Sequence, residues 1–107
     1  MLTNDAKKLL YGLYKEYVAR RSIGVSRSSA KMFRSAQSVH ENFFPEWNIS
    51  DVEDTLRELG RNGYVKNFYA DNTVYNCQLC DDAISDLENL PKDIFLNVTD
   101  FLAKFIP

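Results

Sequence analysis

The chain has 107 residues and a mass of 12.4 kDa, the size of one ordinary domain. Its 45% hydrophobic and 26% charged residues exclude a disordered or collagen-like polymer, and two Cys with one His exclude a disulfide framework and most metal chemistry. The net charge of −2 conceals a division: residues 1–34 carry eight bases and two acids, whereas residues 35–107 carry five bases and thirteen acids.

In chain order, Thr3 caps a first helix with Asp5 in its first turn, where the dipole favours an acid. Ala6, Leu9, Leu10, Leu13, Tyr14, Tyr17 and Val18 recur at three- and four-residue steps to about Arg21. The first residues hold only a short apolar cluster and no cleavage motif, so a cytoplasmic protein with reduced thiols is expected. Ile23-Gly24-Val25 reads as a break containing a short strand. Ser26, Ser28 or Ser29 then caps a second helix with an apolar side of Ala30, Phe33, Ala36, Val39, His40 and Phe43. That helix must stop before Pro45, and the aromatic connection Phe44-Pro45-Glu46-Trp47 is expected on the core.

Ser50-Asp51-Val52-Glu53 has the form of a capping box. It opens a third helix with a Val52, Leu56, Leu59 stripe, ended by Gly60 and Gly63. Residues 64–70 and 73–79 are rich in Tyr, Val and Phe, and Asp71-Asn72 between them tolerate positive φ, which predicts a β-hairpin. A fourth helix starts at Cys80 or Asp81 with Ala83, Ile84, Leu87 and Leu90 inward. Beyond Pro91 a last helix over about 92–106 carries Ile94, Val98, Phe101, Leu102 and Phe105 in one stripe. That stripe closes the core or pairs two subunits, with Ile94, Val98, Phe101 and Phe105 as the dimer contact. It is too short and polar to span a bilayer.

The stretch Leu56-x-x-Leu59-x-x-x-Gly63-Tyr64-Val65, a hairpin, then Leu79-Cys80-Asp81-Asp82-Ala83-x-x-x-Leu87 resembles prokaryotic winged helix-turn-helix domains over roughly residues 49–90. Those run L-x-x-L-x-x-x-G-Y-I, hairpin, L-T-x-x-G-x-x-x-L, so here Cys80 replaces the threonine and Ala83 the glycine. The resemblance implies a mainly α fold with a small hairpin (α+β), a single winged-helix domain over 1–107 with an added C-terminal helix. It also implies a DNA-binding transcriptional regulator of double-stranded DNA, dimeric, without catalysis. Phosphate contacts are expected from Arg20, Arg21, Arg27, Ser28, Lys31 and Arg34, and base or backbone contacts from Arg57, Arg61, Asn62 and Lys66.

The third helix, which should meet the major groove, carries Asp51, Glu53, Asp54 and Glu58. Its acidity favours the alternative, a winged-helix interaction module that binds a basic protein. Cys77-x-x-Cys80 lacks the second ligand pair that zinc requires, and Cys77 reads as a strand filler. His40 reads as a packed histidine with no nucleophile marked beside it. No glycine-rich phosphate loop is present, so no enzyme, metal or cofactor is expected.

Overall fold

The computed structural model describes residues 2–89 and has a mixed α+β, mostly helical architecture. The expected last helix and its stripe of Ile94, Val98, Phe101 and Phe105 lie outside the described residues, as does Leu90. Helix α1 (Asn4–Ser22) starts as the sequence indicates, with the Thr3 hydroxyl accepting from the Ala6 N–H. It buries Ala6, Leu9, Leu10, Leu13, Tyr14 and Tyr17. Val18 departs from the expected stripe and is 40% exposed. Ile23 and Gly24 form a turn rather than a strand, with Gly24 at φ +93°.

The expected second helix is two helices. Helix α2 (Arg27–Ala30) is capped by Ser26 and helix α3 (Ala36–Phe43) by Ser35. Between them Met32 forms a β-bridge with Gln78: the Phe33 N–H donates to the Cys77 carbonyl (2.9 Å), and the Leu79 N–H donates to the Lys31 carbonyl (3.0 Å). Backbone groups bonded to the hairpin cannot also serve a helical ladder, and Arg34 at φ +55° turns the chain into α3. The aromatic connection packs as expected, with Phe44 3% exposed and its ring 4.8 Å from that of Trp47.

Helix α4 (Ile49–Arg61) begins at Asn48, without a side-chain cap, so the expected Ser50–Glu53 capping box does not form. Glu53 instead accepts the Val74 N–H on both carboxylate oxygens, at 3.1 and 3.2 Å. That long-range bond satisfies a hairpin amide and removes the carboxylate from Ser50. Val52, Leu56 and Leu59 are fully buried, as the spacing predicts, together with Thr55. Gly60 lies inside the helix; the chain leaves it at Asn62 and Gly63, the latter at φ +80°, where a side chain would be strained.

Strands β1 (Val65–Ala70) and β2 (Thr73–Leu79) pair antiparallel around Asp71 and Asn72, both left-handed at φ 51° and 62°. The register slips between Phe68 and Tyr69, so Tyr75 has no residue opposite it. Helix α5 (Asp81–Glu88) follows Cys80, which occupies the cap position without a cap bond, and it buries Ala83, Ile84 and Leu87. The core joins α1, α3 and α4, and Val65, Val74, Cys77 and Leu79 of the hairpin close one side of it.

Candidate nucleic-acid interface

The structure separates the ten expected DNA-contacting residues into those held by the fold and those facing outward. Arg20 belongs to the first group. Its Nε meets Glu16 at 3.1 Å, and its Nη1 donates to the carbonyls of Ala30 (3.2 Å) and Met32 (2.8 Å). Its guanidinium carbon also lies 4.6 Å above the Phe33 ring. Arg20 therefore ties α1 to the link between α2 and α3. Lys31 pairs with Asp81 at 3.1 Å, joining that link to the start of α5. Asn62 Nδ2 donates to the Glu58 carbonyl (2.8 Å) and finishes α4.

Arg21, Arg27, Ser28 and Arg34 are exposed. Arg21 donates to the Val25 carbonyl (3.0 Å) and shares a hollow with Arg27, Tyr14, Tyr17 and Glu88. That hollow carries mixed charge: burial first, and then Glu88, pushes the Tyr14 hydroxyl above its ordinary pKa. Ser28 Oγ lies 3.4 Å from Ser26 Oγ. Arg34 borders a separate depression, with Glu16, Arg20, Ser38 and Asn42.

The remaining three cations converge. Arg57, Arg61 and Lys66 line an open groove of about 580 Å³ between α4 and β1, with Asn67 and Tyr69, and no carboxylate lines it among the described residues. Local geometry explains the convergence. Arg57 and Arg61 are one helical turn apart on one side of α4. Gly60 between them lets the hairpin approach, since a Cβ there would stand 2.6 Å from Asn67 Nδ2. That amide donates to the Leu56 carbonyl at 2.8 Å and clasps β1 to the helix.

Arg57 is also the hairpin's anchor. Its Nη2 donates to the Asn72 carbonyl at the turn (2.7 Å) and meets Glu53 at 3.5 Å, and its guanidinium carbon lies 5.3 Å from the centre of the Tyr69 ring. Its Nε and the Oδ1 of Asn67 are buried without a hydrogen-bond partner among the described residues. Arg61 and Lys66 are exposed, Lys66 with its Nζ 5.3 Å from the centre of the Phe68 ring.

The four acids of α4 do not form one acidic face. Glu53 bonds the hairpin. Glu58 accepts from the Thr3 N–H (2.8 Å) and the Thr3 hydroxyl (2.7 Å), the two bonds that hold its carboxyl below the ordinary range. Asp51 and Asp54 are left exposed in the first half of the helix, while Arg57 and Arg61 occupy the second half. This is the polarity that the helix dipole favours.

Sequence reasoning missed Tyr69 and Tyr75, which are 51% and 53% exposed on the hairpin. The strand parity that pairs Tyr69 with Asn67 was a signal for the first, whereas the bulge that exposes Tyr75 leaves no clear mark in the sequence.

Burial, aided by Glu53, pushes the Cys77 thiol up to about 12, and burial followed by Asp82 and Asp81 raises that of Cys80. Neither is a ready nucleophile at neutral pH. His40 is half-buried, its Nδ1 3.0 Å from the Phe44 carbonyl. Among the described residues, no three His, Cys, Asp or Glu are grouped to hold a metal, and no helix is long and apolar enough to cross a membrane. No protein family, no curated protein and no solved structure matches the chain.

Proposed function

We propose that the chain is a cytoplasmic winged-helix DNA-binding protein of the regulator type, in which the second half of α4 and the hairpin, its wing, form the contact surface. The arrangement of α1, α3 and α4, with Met32 bridging to the hairpin, supports the fold reading. The observation that carries the functional reading is the groove between α4 and β1, with its three cations and no lining carboxylate. A polyanion gains most where cations cluster and no carboxylate competes, because each phosphate neutralised releases condensed counterions. The contact surface is Arg61 and Lys66, whereas Arg27 and Arg34 border two other hollows. Arg20 and Lys31 act in the fold instead, and Arg57 orients the wing. Reading two half-sites would require a homodimer, with Ile94, Val98, Phe101 and Phe105 as its contact.

Fluorescence anisotropy with a labelled mixed-sequence duplex at about 50 and about 200 mM salt tests this reading. Salt-sensitive binding is expected, and removing Arg61 and Lys66 together should lower the log–log salt slope by about 2. No binding at the lower salt would refute it. One observation favours a second reading, an interaction module for a basic protein: Asp51 and Asp54 are exposed on the first half of α4. Binding of a cationic peptide, lost on Asp51→Asn with Asp54→Asn and without any DNA binding, would support that module.

A further inference from the structure

We propose that the groove between α4 and β1 takes unpaired nucleotides of a single strand, with one base stacked on Tyr69 and the adjoining phosphates on Arg61 and Lys66. The inference rests on the DNA-binding reading above and names the form of nucleic acid that this groove accepts.

Three observations carry it. Tyr69 is half exposed in a cationic groove, yet its ring is fixed: the Arg57 guanidinium lies 5.3 Å from its centre, and its hydroxyl lies 3.4 Å from Asn67 Nδ2. An aromatic ring held in place and open on one side is a stacking surface that loses little freedom on binding. Single-strand sites combine such rings with a positive groove that follows the backbone. The groove's volume, about 580 Å³, falls within the range of sites that enclose small organic groups.

The hairpin repeats the pairing of cation and ring on its other face. Phe68 and Tyr75 meet edge to face at 6.5 Å, and the Lys66 ammonium sits over Phe68. Phe68 lies one residue from Tyr69 and so on the other face of β1, and this cluster forms a second cation–aromatic patch outside the groove.

The charge of α4 argues against deep entry into a duplex. A helix inserted in the major groove, about 12 Å wide, brings its outer face against phosphates on both walls. Here Asp51 and Asp54 would meet them. A strand confined to the groove beside Arg61 stays away from these acids. Asp54 and Asp51 are seven and ten residues from Arg61, about 10 and 15 Å along the axis. These separations equal or exceed the screening length of about 10 Å at 0.1 M salt.

The test is anisotropy of the full chain with a labelled mixed DNA strand of about 16 nucleotides, and with the matching duplex, at about 50 mM salt. The single strand should bind more tightly. Tyr69→Ala should weaken single-strand binding by about 5- to 150-fold, the effect of losing one base–aromatic stack, and leave duplex binding nearly unchanged. Tyr69→Phe, which keeps the ring beside the Arg57 guanidinium and loses only the long hydroxyl contact, should retain most of the affinity of the parent. Duplex binding with no preference for the single strand, or with Tyr69→Ala without effect, would overturn this inference while leaving the DNA-binding reading intact. No binding of either probe would overturn both.

Discussion

Replacing Gly12 with Ala sets two effects of opposite sign against each other. In the middle of α1, Ala is favoured over Gly by about 1 kcal/mol through helix propensity. The added Cβ would stand 2.7 Å from Cζ and 3.2 Å from Cε2 of Phe44. Ordinary carbon contacts lie near 3.5–4.0 Å, so about 0.8 Å of movement is required. The Phe44 ring is buried and tilted against Trp47, and it cannot retreat without disturbing that pair. Overpacking of this kind costs about 1–3 kcal/mol. The packing cost therefore exceeds the propensity gain, with a net loss of about 1 kcal/mol. Urea unfolding followed by far-UV circular dichroism reads this as a lower midpoint with an unchanged slope, and as a Tm about 4–8 °C lower. Adding Phe44→Leu should recover part of the loss of Gly12→Ala. A stabilised Gly12→Ala variant would refute the claim that the α1–Phe44 contact requires glycine.

Arg20→Ala should destabilise the fold by about 2–3 kcal/mol through lost charged hydrogen bonds, without changing the DNA salt slope of the folded fraction. A reduced slope would instead place Arg20 at the ligand. Glu58 has a lowered folded pKa, so its bonds to Thr3 contribute stability above the carboxyl's ordinary value of 4.5, and this is lost as pH falls through the folded value. Unfolding midpoints at neutral pH and at pH about 3 should accordingly converge in Glu58→Gln relative to the parent; identical profiles would show that the clamp is not formed. Cys77 should resist alkylation in the native protein at mildly alkaline pH and react only on unfolding, with Cys80 the faster of the two. Rapid native labelling of Cys77, followed by peptide mass spectrometry, would contradict its burial.

Elements with local signals were legible from the chain. The Thr3 cap, the stripe of α1, the Val52–Leu56–Leu59 face and the Asp71-Asn72 turn each depend on neighbours a few residues away. The division of α2 from α3 was not legible, because residues 31–33 suit a helix and leave it only for the backbone bonds of Phe33 to Cys77 and of Lys31 to Leu79, more than forty residues later. The same holds for the capping box. Ser50 and Glu53 have the right spacing, but the amide of Val74 takes the carboxylate. For the candidate site, Arg61 and Lys66 could be read from the chain as exposed cations. Arg20 could not be assigned correctly, since its carbonyl partners exist only because the connector is not helical.

The Arg57–Asn72, Glu53–Val74 and Asn67–Leu56 bonds join the hairpin to α4 at its turn, along β2 and along β1. Helix and hairpin consequently behave as the two fixed jaws of one gauge, whose opening is set when the chain folds. Were the groove to take a nucleic-acid strand as proposed, a fixed opening would select by the thickness of what lies between the jaws. Arg57→Lys, which keeps the charge but not the forked geometry, would loosen the turn bond and make the opening adjustable.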